Sequence, residues 1–180
     1  INKKYAKKFD NDLKISNFLD PKKNIFIFLS SRKVYKSKEN IKEHDKLNPL
    51  TNYSKNKLTT ENFLRKKFKS NILILRISNI IGYKLKAKKL HKTFVDLFYE
   101  KAKKGFIYNN KKRFKDFLSV QKFSQILIMI IKKDLRGTYN VSIGKKIYLD
   151  QIIEWLNKYN RKSIKVINYN STKNQSFYLN

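Results

Sequence analysis

The stretch NPLTNYSKNKLTTE, residues 48 to 61, holds a tyrosine and a lysine four positions apart, Tyr53 and Lys57. On a helix that spacing stacks two side chains on one face. Such a pair can move a proton. A free phenol titrates near pH ~10, and a neighbouring ammonium favours the phenolate. A serine hydroxyl beside the pair can hold a substrate oxygen or share the proton while a cofactor moves a hydride. The spacing alone proves nothing, because four of the 11 tyrosines have a lysine at the fourth position after them: Tyr53, Tyr99, Tyr108 and Tyr169. The competing reading is a surface loop followed by an ordinary lysine-rich helix.

The surrounding elements separate the four pairs. NIFIFLSS is a short apolar run ended by Ser30 and Ser31, and NILILRI is another of the same kind. Apolar runs without polar alternation predict strands buried on both faces of a parallel sheet. Between them, YSKNKLTTENFLRKKF predicts a helix with Leu58, Phe63, Leu64 and Phe68 on its apolar face. Strand, crossover helix, strand is the pattern of a parallel α/β sheet, whose functional crevice lies at the carboxyl ends of the strands. Only Tyr53 and Lys57 have such a strand before them and another after them. Tyr99 falls in a basic helix over 92–104, Tyr108 in a polar loop, and Tyr169 near the C-terminus.

Elsewhere, residues 2–20 predict a helix through Tyr5, Phe9, Leu13 and Phe18, ended by Pro21. Phe123 to Lys133 predicts a helix, GTYNVSIG a strand between glycine turns, and SIKVINY a last strand. LDQIIEWLNKY predicts a helix that buries Ile152, Ile153, Trp155 and Leu156. The lysines from 84 to 92 read as a solvated face. With four glycines in all, the chain has no Gly-rich phosphate loop.

Composition sets outer bounds. A length of 180 residues suits one domain, or one with a small appendage. The net charge of +30 invites a nucleic-acid or membrane reading. However, 37 of the 43 basic residues are Lys and they are scattered through almost every segment. Nucleic-acid sites favour Arg for bidentate and stacked contacts and cluster their charge. Lys, Asn, Ile, Phe and Tyr fill 102 positions, a profile that AT-rich codons produce without selection for binding. Without cysteine there is neither a disulfide nor a thiolate metal site, and His44 and His91 lack metal-ligand spacing. The longest strongly apolar run, Ile126 to Ile131, is too short to span a bilayer.

Jointly, these motifs resemble the extended short-chain dehydrogenase/reductases, the NAD-dependent epimerase/dehydratase family. FIFLSSRKVY is similar to its strand-end segment, with Ser31 four places before the tyrosine of VY. IKEHDKLNPLTNYSKNKLTTE matches at Glu43, Pro49, Tyr53, Lys57 and Glu61, and LRISNIIG at Arg76, Asn79 and Gly82. RFKDFLSV and GTYNVSIGKKIYLDQIIEWL resemble later landmarks. The resemblance implies an α/β fold: the C-terminal part of a Rossmann-type parallel sheet domain with a smaller mixed α/β substrate lobe. It divides the chain into Rossmann segments at 1–83 and 119–144 and substrate-lobe segments at 84–118 and 145–180.

It further implies an NAD- or NADP-dependent epimerase, dehydratase or reductase acting on a nucleotide-linked sugar. Ser31, Tyr53 and Lys57 would be catalytic. Ser30, Tyr53, Lys57, Ile77 and Asn79 would bind the cofactor, and Ser31, Asn79 and Arg113 the substrate. No metal is implied, and a cytoplasmic homodimer is the expected state. Arg76 reads as either a phosphate contact or a structural ion-pair partner, and Trp155 as core. Departures from the family pattern are Lys36 for the glycine after VY, Lys115 for the arginine before Asp116, and Gln121 and Lys122 for an acidic pair. The family's opening strand and glycine turn would precede Ile1, so the chain reads as an internal fragment. The other readings are a non-catalytic dinucleotide-binding relative and a lysine-rich nucleic-acid binder.

Overall fold

The computed structural model describes residues 7–82, 94–104, 106–109, 113–160, 164–168 and 176–180. The lysine run at 84–92, His91 and Tyr169 lie outside them, as does the side chain of Tyr108.

Three parallel strands form the main sheet in the order β1 (Phe26–Ser31), β2 (Ile72–Ile77), β7 (Gly137–Val141). The central β2 is buried at all six positions, as its unbroken apolar run predicts. Its residues alternate between faces. Ile72 and Ile74 join Phe26, Phe28, Leu64 and Phe68 on one side, while Leu73, Leu75 and Ile77 join Ile130 and Val141 on the other. Helix α2 (Asn52–Phe68) covers the first side and α4 (Val120–Lys132) the second, the layering of an α/β sheet. Strand β1 is less enclosed than expected. Leu29 is 43 % exposed, because β1 is an edge strand among the described residues.

At Ser78 the chain leaves the main sheet, and β3 (Asn79–Ile81) pairs with β6 (Phe117–Ser119). Two further small pairings follow: β4 (Phe106–Asn109) with β9 (Lys165–Asn168), and β5 (Phe114–Lys115) with β8 (Ile147–Tyr148). Helices α3 (Phe94–Lys103) and α5 (Leu149–Asn160) bury a separate core with β4, built from Phe98, Ile107, Ile153 and Leu156.

Several expectations change. Of the helix expected over 2–20, residues 2–6 with Tyr5 lie outside the described residues, and the described part is a 3-10 turn at Lys7–Phe9 followed by α1 (Asn11–Ser16), because the Asp10 carboxylate accepts the Leu13 N–H and caps a new helix start. Phe9 and Phe18 are consequently exposed. Helix α4 begins three residues earlier than expected, where Ser119 accepts the Lys122 N–H. Phe63 points outward from α2, whose buried face runs through Ser54, Glu61, Leu64 and Phe68. Trp155 is not core: it is 52 % exposed and lines a cavity of about 500 Å³ with Ile81, Phe117, Ile147 and Ile152.

Candidate functional site

The last residues of the parallel strands stand in one row, Ser31 beside Ile77 and Ile77 beside Val141. Ser31 closes β1 and caps the 3-10 turn Arg32–Val34, accepting the Lys33 N–H at 3.3 Å. Helix α2 starts opposite that turn. Thr51 caps it in a reciprocal box with Ser54, which fixes Tyr53 in the first helical turn. Tyr53 is half-buried, and the Lys33 ammonium lies 5.5 Å from its ring centroid. One turn along, Lys57 donates to the Leu29 carbonyl at 2.9 Å, with its ammonium 4.6 Å from the Phe28 ring centroid and 3.9 Å from Asp12. Tyr53, Lys57 and Ser31 are thereby gathered at the carboxyl end of β1.

The other candidate residues are bound into the scaffold. Ser30 is buried and donates to Glu61 Oε1 at 2.5 Å. Asn79 donates its amide to the Asp116 carbonyl at 3.0 Å, bridging the start of β3 to the approach of β6. Ile77 is 9 % exposed in the strand row. Arg113 accepts the Leu149 N–H on its carbonyl, at the entrance of β5. The pair Tyr99–Lys103 also forms, with the ammonium 4.9 Å from the ring, but Tyr99 packs on the α3–α5 core.

Beneath the strand ends lies a polar network. Arg76 makes a two-pronged pair with the fully buried Glu61, Nη2 to Oε2 at 2.7 Å and Nε to Oε1 at 3.2 Å. This is the structural alternative expected for Arg76. Its Nη1 donates to the Tyr35 hydroxyl at 2.7 Å, and that hydroxyl donates to Asn140 Oδ1 at 3.1 Å. Glu43 accepts the Asn140 N–H at 2.8 Å. Burial pushes the Tyr35 phenol up although Arg76 opposes it. Burial would lower the Arg76 guanidinium, yet Glu61 and Tyr35 outweigh it and raise the group. Asp116 is fully buried and accepts three backbone N–H groups, from Ile143, Gly144 and Leu179. Burial nevertheless leaves its carboxyl raised.

A further group escaped the sequence reading. The Arg32 guanidinium carbon lies over Phe177, 3.2 Å from the ring centroid, and the Lys115 ammonium is 5.6 Å from the same centroid. Burial brings Arg32 down to about 9. Burial, then the charges of Arg32, Arg113 and Lys33, brings Lys115 down to about 8. The signal in the sequence was two cations directly after the strand-end serines, in SSRKVY.

Helices on both faces of a parallel sheet, with a Tyr-x-x-x-Lys helix packed on the strand that ends in Ser30 and Ser31, define a Rossmann-type fold. The chain belongs to the NAD dependent epimerase/dehydratase family, whose model matches residues 15–142. No curated protein matches the sequence. Among solved structures, a UDP-N-acetylglucosamine 4-epimerase from Methanobrevibacter ruminantium M1, in complex with UDP-N-acetylmuramic acid, is 21 % identical with a TM-score of 0.76, over 96 % of this chain and 59 % of that one. A dTDP-4-dehydrorhamnose reductase from Clostridium acetobutylicum ATCC 824 is 18 % identical, TM-score 0.70, over 86 % and 56 %. A UDP-glucuronic acid 4-epimerase from Bacillus cereus, in complex with NAD, is 19 % identical, TM-score 0.70, over 87 % and 52 %. The chain thus spans between half and three-fifths of their length. At these identities the likeness establishes the fold.

The family implies a nicotinamide dinucleotide, and the residues present fit one end of it. Lys57 keeps a quarter of its side chain accessible at the strand ends, beside a half-buried phenol, which suits a nicotinamide ribose. A pyrophosphate needs backbone N–H groups in a glycine turn. The four glycines of these 180 residues stand singly, at 82, 105, 137 and 144. No helix among the described residues is long and apolar enough to cross a membrane.

Proposed function

We propose that the chain supplies the acid–base end of an NAD(P)-dependent epimerase, dehydratase or reductase acting on a nucleotide-linked sugar. The observation that carries this reading is the gathering of Ser31, Tyr53 and Lys57 at one strand end, with Lys57 fastened to the Leu29 carbonyl. In this reading the Tyr53 phenol gives or takes the proton of the reacting sugar oxygen. Ser31 orients that oxygen, and Lys57, held in place by the strand, binds the nicotinamide ribose. The cofactor supplies hydride transfer when bound. Asn79 borders the same crevice from β3, and Arg113 is the substrate-phosphate candidate. Residues 1–83 and 119–144 serve as the Rossmann part, and residues 84–118 and 145–180 as the substrate lobe. A cytoplasmic homodimer is the proposed working form.

The test is Tyr53→Phe in the full-length protein, assayed with NAD or NADP and UDP- or dTDP-sugars. Turnover should fall by about 10²–10⁴-fold, the usual worth of a positioned acid or base, while cofactor affinity is kept. Persistent turnover would refute the role of Tyr53. Cofactor binding without turnover in the unmutated protein would favour a non-catalytic relative.

A further inference from the structure

The 3-10 turn that follows Ser31 is seated on a segment distant from it in sequence. The Arg32 guanidinium carbon lies 3.2 Å from the ring centroid of Phe177, which is fully buried in a core with Val34, Tyr35 and Ile41. The segment Ser176–Asn180 is in turn fastened on several sides. Ser176 Oγ accepts the Phe114 N–H at 3.2 Å, and the Asp116 carboxylate accepts the Leu179 N–H at 3.2 Å. Ile41 donates its N–H to the Tyr178 carbonyl at 3.0 Å and accepts the Asn180 N–H at 2.8 Å. The ring therefore has a fixed place, and the guanidinium rests on it.

An arginine in a turn ordinarily keeps its charged head in water, where its donors are satisfied. Arg32 does not: its Nε is buried without a hydrogen-bond partner among the described residues. A buried donor of this kind needs a reason beyond packing, and the place of Arg32 in the chain supplies one. Tyr35 closes the turn by donating its N–H to the Arg32 carbonyl at 3.1 Å, and Lys33 donates its N–H to Ser31 Oγ at 3.3 Å. The Ser31 hydroxyl keeps that direction only while the turn stays wound. On one side Ser31 is pinned by its register with Ile77, and on the other the Arg32 side chain holds the turn against Phe177.

We propose that Arg32, seated on Phe177, is a positioning residue that fixes the Ser31 hydroxyl for the reacting substrate oxygen. This rests on the proposed acid–base reading and adds to it a residue that acts through Ser31.

A double-mutant cycle with Ser31 tests the role in the full-length protein, assayed with NAD or NADP and UDP-glucose, UDP-N-acetylglucosamine or UDP-glucuronic acid. Arg32→Ala should lower kcat by about 10- to 100-fold, as a misplacement of ~1 Å can, while cofactor affinity is kept. In the Ser31→Ala background the same change should cost about twofold or less, because there is no hydroxyl left to place. Phe177→Leu should behave in the same way, and where its thermal melt shows that it does not fold, Arg32→Ala alone decides. An Arg32→Ala variant with the parent kcat would overturn the role and leave the acid–base reading standing. Equal losses with and without Ser31 would overturn it as well, since a merely structural effect does not depend on the hydroxyl. If Ser31→Ala itself left kcat unaltered, or the parent turned over none of these sugars, the role and the reading beneath it would fall together.

Discussion

Glu61 and Arg76 form a bidentate ion pair inside the sheet–helix interface, with side chains 0 % and 4 % exposed. Glu61 comes from the third turn of α2 and Arg76 from the end of β2, so the pair fastens the Tyr53 helix to the strand that follows it. Ser30 fills a remaining position on Glu61, and Tyr35 one on Arg76. Breaking one side of such a pair leaves a buried charge without compensation, at a cost of about 3–5 kcal/mol. Arg76→Met should therefore lower the urea midpoint by that equivalent. The double variant Glu61→Leu/Arg76→Met should lose less than the sum of the two single variants. Additive losses would show that the two groups are not coupled.

Hydrophobic runs make most of the sheet and the site legible in the sequence. Phe26 to Ser31 and Ile72 to Ile77 read as strands because a buried parallel strand needs no polar alternation, and Tyr53 falls on the intervening helix. The role of Glu61 is not legible in the same way. A glutamate on a lysine-rich helix looks solvated, and only the folded register sets it against Arg76 and Ser30. Arg32 and Lys115 are far apart in sequence and meet only because Phe177 folds back between them. Periodicity misjudges Trp155, since a helix pattern says which residues share a face but not how far the neighbouring layer extends.

Gly82 meets α4 at the point where β3 ends. A Cβ there would lie 2.6 Å from Val120 Cγ1 and 3.0 Å from its Cβ. Both atoms belong to a β-branched side chain with little rotamer freedom. Gly82→Ala should destabilise by about 1–3 kcal/mol, the usual range for overpacking. Adding Val120→Ala should recover most of the loss. Thermal melts of the two variants decide, and an unaltered Tm in Gly82→Ala would mean that α4 shifts freely.

Lys57 acts on two groups at once, the Leu29 carbonyl and the Asp12 carboxylate. Burial raises the Asp12 carboxyl, and Lys57 pulls it back down. Lys57→Met should therefore raise the Asp12 midpoint further, as followed by NMR titration of the carboxyl carbon. In the full-length protein the same variant should reduce turnover, because the fastened cation is lost. An unchanged Asp12 midpoint would show that the ammonium does not hold its place beside β1.

Lys115 makes stability depend on alkaline pH. Burial and the nearby cations lower its ammonium from the ordinary 10.5 to about 8. The unfolded chain therefore holds more protons than the folded one between those values, so the contribution of Lys115 to stability rises with pH across that interval. Below pH about 8 the folded protein carries the full penalty of a charged Lys115, and near 10.5 the penalty has gone. Lys115→Met removes it at every pH. The variant should be more stable than the parent at pH 7, with a difference in urea midpoint that shrinks from pH 8 upward and vanishes by about 10.5. A difference of constant size across that range would show that Lys115 keeps its ordinary protonation and that the cations around Phe177 do not act on one another.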